Sequence, residues 1–543
     1  MTKVLIIGSG ISGLTCAIEC ASRGINSVLV SPFPSERTQS VLAAGGINAV
    51  LRQDNGDSIE KHIEDTLKGG GNIAGVKAVT GLCTEAPSVV RWLESLGTVF
   101  SRDEEGKIRQ RPFGGQTYPR TCFAGTSTGK QIVTALVMEA RRLEGRGLIE
   151  RRFWSDFHSA LIKDGKCCGA LIFNEASGTL EAVTADAVVI AAGGQNMMFG
   201  KTTGSTQCDG YTAGRLLMQG VKLKNLEFIQ YHPTAIETDR KNMLVSEAAR
   251  GEGGRLYYEE DGKRVYFMED KFGEKGNLMP RDVVSRTMYE TGRDIFLDVS
   301  LLGREKILDR LPEVYDLCMK YRGIDITRES IPVKPTVHFF MGGIAVDLNH
   351  MTNIRDLYAV GECASIYHGA NRLGGNSLLA AVYSGRVAAR SIASSAPSGG
   401  ECDWSGFVKS EQDRLAARRE VTGDTTVSYV KTVLADTIGS ALGIVRSAES
   451  IAKGMETVDH FLAVKDEISF NKSELEYFNY RIDGLLNLGK AMLVCADSRR
   501  ESRGSHIRSD CPETDDAFRK ATIVSLEDGE FRTELVGEDD YAG

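Results

Sequence analysis

The sequence has no clustered cysteines. Its twelve cysteines are scattered, only Cys167 and Cys168 are adjacent, and no CxxC or CxxxCxxC run occurs. No iron–sulfur or zinc site is therefore expected within this chain. Cys16 and Cys20 fall one turn apart on an expected helix and read as small core residues. Scattered thiols suit a reducing cytoplasm. No apolar run reaches the ~18 residues that a membrane-spanning helix needs. No charged n-region with an apolar h-region precedes the first strand, which starts at Lys3. Direct membrane insertion is not expected, so any peripheral membrane association at the cytoplasmic face has to come through a partner. Positive charge is not in excess either. The net charge is −8, which argues against nucleic acid as a partner. Internal repeats and long low-complexity linkers are also missing.

Length and glycine are what the chain has. Its 543 residues exceed what one hydrophobic core organises, so two or three domains are expected. The 59 glycines gather in short turns, a pattern that suits an α/β protein binding a large phosphate-bearing ligand. An apolar strand over 3–7 runs into Gly8-Ser9-Gly10-Ile11-Ser12-Gly13, then a helix over 14–22 and a second strand over 27–30. This is a βαβ unit with a GxGxxG turn. Its glycines permit a tight turn, close approach to a pyrophosphate and helix–strand packing, with the helix N-terminus facing the phosphates. The second strand ends at Ser31, where such units often carry Asp or Glu. A hydroxyl can still bond a sugar, less strongly.

Two later strands close on glycine: 187–192 on Gly193-Gly194, and 356–360 on Gly361-Glu362. The latter opens GECASIYHGANRLGGNSL at 361–378. There an acidic residue after a strand can hold a sugar hydroxyl. An arginine in a backbone-lined pocket suits bidentate carboxylate binding. Strands of this kind mark a two-part FAD-binding domain. The expected fold is α/β, with a Rossmann-like domain in two parts (1–225 and 345–395). An inserted α+β capping domain (226–344) and a C-terminal helical domain with a tail of extended strands (396–543) complete it. SSAPSGG at 394–400 is the best boundary signal, and 409–420 and 444–466 have amphipathic character.

Nearly the full length also resembles one family. In order occur FSR at 100–102, QRPFGGQ at 110–116, RTCFAGTSTG at 120–129, YHPT at 231–234 and SEAARGEGG at 246–254. PRDVVSR at 280–286, VHFFMGGI at 337–344 and ESRGSHIRSD at 501–510 follow. This ordered set resembles the flavoprotein subunits of succinate dehydrogenase and fumarate reductase, with L-aspartate oxidase as a close relative. Serine is common in this family where Ser31 stands.

The resemblance implies an FAD-dependent enzyme and assigns roles residue by residue. Gly8, Gly10 and Gly13 would hold the FAD pyrophosphate, with Ser31 near the adenosine. Ala43, Ala44, Gly45 and Gly46 would run past the isoalloxazine ring, Gly46 also reaching the substrate. Asp209 would lie near the flavin, and Glu362 would bind the ribose or the phosphate linker. Asn376, Ser377 and Leu378 would lie near the ring, where a helix dipole favours negative charge on reduced flavin. His232, Ser246, His338 and Arg372 match residues that grip the two carboxylates of a C4 dicarboxylate, with Phe123 packing on it. Arg281 matches the arginine that delivers or removes the substrate proton, and Glu247 and Arg250 match its relay. A dianion needs cationic or donor groups at both ends. A guanidinium normally stays protonated, so the role of Arg281 requires transient transfer and reprotonation through Glu247. His350 and His460 match no motif and read as surface histidines.

One departure stands out. Respiratory members attach FAD covalently through a histidine, and Gln39 stands at that position in Thr38-Gln39-Ser40-Val41. An amide nitrogen cannot replace imidazole as the nucleophile, so FAD held without a covalent bond is expected. Loss of that bond favours fumarate reduction, or an oxidase reaction. L-aspartate oxidase is the alternative, but it needs an acceptor for the substrate ammonium, and Gln131 in that region is neutral. A reductase of a related unsaturated acid is a further alternative. A flavin-binding scaffold without activity would not need the set His232, Glu247, Arg281, His338 and Arg372. The resemblance also implies partners: an iron–sulfur subunit, together with a membrane anchor or other electron donor. The segment 501–510 and the C-terminal helices are the expected docking elements.

Overall fold

A computed structural model describes residues 3–125, 127–239, 241–395, 403–470, 479–537 and 541. The boundary signal at 394–400 lies outside these from residue 396 onward. Strand Lys3–Ile7 is apolar throughout its centre, and Val4, Leu5 and Ile6 are fully buried, as a strand with both faces covered must be. It lies mid-sheet in the order Leu357–Ala359, Ala187–Ile190, Lys3–Ile7, Asn26–Ser31, Ile149–Phe153, all parallel. Ile7 pairs with Val30 and Ile190, and Ile190 with Ala359. Four strands thus come level, and Gly8, Ser31, Ala191 and Val360, the last followed by Gly361, lie at one edge. That carboxyl edge is where such sheets bind ligands.

Helix Ile11–Ser22 begins three residues before the position its apolar pattern marks. Gly10 is its N-cap and supplies no side-chain cap, which leaves first-turn N–H groups for another acceptor. Helix Asn376–Ser394 crosses it closely at Gly385, where a Cβ would stand 2.6 Å from the Ser12 carbonyl oxygen.

Between the strands Ala187–Ile190 and Leu357–Ala359 in sequence lies a second sheet. Its order is Met243–Leu244, Ile229–Ile236, Ile331–Phe340, Ile295–Asp298, Arg255–Glu260, Lys263–Val265. It has its own apolar core, including Ile236, Val245, Leu256, Val284, Leu297 and Ile331. The C-terminal part carries helices Ser405–Arg419, Val427–Ala441, Ala448–Ala463 and Ile482–Ser498.

The tail is extended as expected, and its strand Ala521–Glu527 pairs with Leu223–Lys224, which also pairs with Gly343–Ala345. Two expectations change. The segment 501–510 is not a docking face, because all but Gly504, Ser509 and Asp510 are buried. Glu501 accepts from Arg499 (2.8 Å) and Arg503 (2.8 Å), and Ser505 donates to the Ala370 carbonyl. Charges that pair with one another can be turned inward. His350 is not at the surface. It is fully buried between the Ala359 carbonyl and the Tyr367 hydroxyl. His460 is exposed.

Candidate active site

One cavity of about 470 Å³ runs from the carboxyl edge of the parallel sheet to the second sheet. From the parallel sheet's edge it is lined by Gly8, Gly10, Ser31 and Phe33, and from the second sheet and its neighbours by His232, Ser246, Arg281, His338 and Arg372. Gln39, Ala43, Ala44, Gly45, Gly46, Asp209, Glu362, Ser377 and Leu378 also line it.

The lining fits a dinucleotide. Gly8 has φ +115° and a Cβ there would stand 2.2 Å from the Ala191 carbonyl oxygen; a Cβ at Gly13 would stand 1.9 Å from that of Gly8. Only glycine suits both positions. Gly10 has only the Ser40 hydroxyl, at 3.2 Å, near its virtual Cβ, so its cavity side is open to a phosphate. Ser31 accepts from Ser9 Oγ at 2.9 Å, which leaves its own proton for a sugar. Burial pushes Glu362 up to about 7, against the Phe340 N–H that donates to it at 3.2 Å. Gln39 Oε1 is buried with no protein partner, an acceptor that a ligand must satisfy. Arg481, just before helix Ile482–Ser498, pairs with both Asp209 and Asp156 on the cavity wall. Burial pushes Asp209 up to about 7, against the Tyr211 N–H that donates to it, but a guanidinium in contact favours the carboxylate.

The second sheet and its neighbours concentrate positive charge. Arg281, first residue of helix Arg281–Thr291, donates from Nε (2.9 Å) and Nη2 (2.7 Å) to Glu247 Oε2. Gly114 N–H donates to Glu247 Oε1 at 2.7 Å, and Arg250 Nη2 lies 3.6 Å from that oxygen. Burial pushes Glu247 up, but Arg281 and Arg250 outweigh it and hold the carboxyl at about 2. Glu247 is therefore an anion between two cations. Burial and then Arg281 depress both His232 and His338 well below the usual imidazole value, so both are neutral at pH 7. Their rings meet edge to face at 5.1 Å, and Thr203 Oγ1 holds His338 Nδ1 at 2.8 Å. Arg372 lies over the Phe339 ring at 4.1 Å, and its Nε is buried without a protein partner. Two neutral donors and two guanidiniums facing one space suit a dianion.

Not every expected residue faces the cavity. Asn376 turns inward, bonding Asn48 Nδ2 (2.7 Å) and Thr66 Oγ1 (3.0 Å). Arg250 stands behind Glu247. Phe123 lies beneath the Arg111 guanidinium at 4.3 Å, while Phe113 of QRPFGGQ lines the cavity. Arg481 and the buried Gln230 join the site from outside the family motifs, and Phe339 joins it from within VHFFMGGI, where the resemblance assigns it no role. Phe339 and Gln230 sit within apolar strand runs, and Gln230 is marked only by its polarity there.

Two family models match. Residues 3–378 match the FAD binding domain and 431–538 the fumarate reductase flavoprotein C-terminal model. The succinate dehydrogenase flavoprotein subunit of Bacillus subtilis is 34% identical, covering 96% of this chain and 94% of its own. One of the subunits of the fumarate reductase (CoM/CoB) of Methanothermobacter marburgensis is 35% identical, covering 96% of both chains. A solved structure of the quinol fumarate reductase flavoprotein of E. coli matches with TM-score 0.92 at 30% identity, covering 99% of this chain and 97% of that one. With that fold, that cavity and these relatives, the chain belongs to the succinate dehydrogenase/fumarate reductase flavoprotein subunit family of FAD-dependent oxidoreductases.

Proposed function

We propose that this chain interconverts fumarate and succinate, favouring fumarate reduction, with Arg281 as proton donor and acceptor. The observation that carries this is the buried Arg281–Glu247–Arg250 row beside His232, His338 and Arg372 on one cavity. FAD, when bound, supplies or takes a hydride through its N5 atom. Arg372 and the two histidines grip and polarise the carboxylates, with Ser246 nearby. Arg281 gives its proton to the second alkene carbon, so hydride and proton together replace the π bond. Glu247, ionised and bonded to Arg281, is placed to return a proton to it, with Arg250 behind. His232 and His338 stand on two paired strands, Arg281 on a helix and Arg372 on a loop, which limits reorganisation during the step.

The proposal extends to cofactor attachment. Gln39 on the wall offers an amide, not an imidazole, so FAD is held by contacts alone. It also extends to partners. Relatives named as subunits, one a quinol and one a CoM/CoB fumarate reductase, support delivery of electrons by an iron–sulfur subunit, docked on a membrane anchor or another donor. Among the described residues no helix is long and apolar enough to cross a membrane.

The direct test is reduced-viologen oxidation with fumarate beside peroxide formation with L-aspartate. Fumarate turnover that disappears in Arg281→Ala is expected. Turnover with aspartate alone moves the enzyme to the oxidase branch, and fumarate turnover surviving in Arg281→Ala removes the proposed acid. Purification from the native host should bring the electron-transfer partner along; a chain that arrives alone counts against it.

A further inference from the structure

Gln230 lies on strand Ile229–Ile236, next to a register shift between Gln230 and Tyr231. Irregularities of this kind re-aim side chains near active sites. Its side chain is fully buried behind the two arginines that face the cavity. Gln230 Oε1 accepts from Arg281 Nη1 at 3.0 Å and from Arg372 Nη2 at 2.9 Å. Its Nε2 donates to Asn371 Oδ1 at 2.8 Å and to the Arg372 carbonyl at 2.7 Å. All four hydrogen-bonding sites of the carboxamide are used. The orientation of the amide follows from this, because guanidiniums only donate, and a flipped amide would set N–H against N–H. Asn371 in turn accepts from Gln230 and donates to Asp282 Oδ1 at 2.9 Å. Asp282 follows Arg281 at the start of the helix, so the chain of bonds closes on itself.

Arg281 and Arg372 are both buried cations, and Arg281 lies close enough to help depress Arg372. Left alone they would repel and separate. We propose that Gln230 is a positioning residue, the shared acceptor that sets the spacing between the proton-transferring guanidinium and the carboxylate-gripping one. This rests on the fumarate reading above. The carboxylate fixes the substrate on Arg372, so that spacing decides where the Arg281 proton meets the alkene carbon. A neutral acceptor serves better than a carboxylate here, because it holds two guanidiniums without cancelling the charge that attracts the substrate.

The test compares wild-type and Gln230→Met holoenzymes. The measurements are viologen-driven fumarate turnover in H2O and D2O, flavin per polypeptide, and binding of malonate, a non-reacting dicarboxylate, by the flavin spectrum. Loss of positioning is expected to lower kcat by about 10²-fold and to raise the solvent isotope effect on kcat. Malonate affinity and flavin content should change far less. An unchanged kcat overturns the inference, and so does a fall in kcat with an unchanged isotope effect. Should the methionine variant not hold flavin, Gln230→Glu keeps an acceptor oxygen. It is expected to keep kcat nearer wild type at a raised KM, and full loss of turnover with flavin intact refutes the role. A wild-type enzyme that binds malonate without turning over fumarate refutes the parent reading, and this inference with it.

Discussion

Substituting Glu247→Gln probes the centre of the site. In the native chain this carboxylate accepts two bonds from Arg281 and one from Gly114, and stands 3.6 Å from Arg250. Its folded pKa of about 2 against 4.5 for a free glutamate corresponds to about 3 kcal/mol of differential stabilisation. An independent route gives a similar size, because breaking a buried ion pair from one side costs about 3–5 kcal/mol. The sign is that of a depressed carboxylate. The stability is fully present above the unfolded value and is lost as pH falls toward about 2. Thermal midpoints of wild type and variant should therefore differ most at neutral pH, with the gap narrowing once pH drops below about 4.5. Fumarate turnover should fall by about 10²- to 10⁴-fold, the span of general acid–base contributions. A variant with wild-type midpoints at pH 7 would show that the carboxylate does not compensate the two guanidiniums. A gap that stays constant with acidification would show that its charge is not the cause.

Three further outcomes follow from the same geometry. Trichloroacetic acid precipitation should release the flavin into the supernatant, and flavin retained in the pellet would refute non-covalent attachment at Gln39. Gly13→Ala places a Cβ 1.9 Å from the Gly8 carbonyl oxygen, so flavin per polypeptide should drop sharply while far-UV circular dichroism is kept. Full flavin content would show that the turn can shift. Since burial and Arg281 hold His232 and His338 well below 6.5, the fumarate KM should show no step near that pH. A titration there would mean that one imidazole is charged in the free enzyme.

Much of the cofactor end is legible along the chain. A GxGxxG turn between an apolar strand and a helix is a local pattern, and the glycines at 8 and 13 are demanded by neighbours within that same unit or its paired strand. The substrate end is less legible. The motif residues at 232, 247, 281, 338 and 372 come together as expected, but Phe113 lines the cavity where Phe123 was expected. These two phenylalanines belong to neighbouring motifs, Arg111 lies over both rings, at 5.5 Å from Phe113 and 4.3 Å from Phe123, and the chain alone does not tell which ring faces the cavity. Asn376 resembles a flavin neighbour because it starts a helix, yet its amide completes bonds to Asn48 and Thr66. The charged stretch 501–510 has the composition of a surface. It is buried because Arg499, Glu501 and Arg503 satisfy one another, which composition does not reveal.

The sequence by itself determined the parallel sheet, the glycine turn after its first strand and the family. These rest on local period, glycine spacing and residue identity. Only the tertiary structure decided that the tail strand Ala521–Glu527 joins Leu223–Lys224 and that Gln230 bridges Arg281 and Arg372. Strand pairing and side-chain bonding across such sequence separations depend on how distant segments pack against each other, and no local pattern encodes that distance.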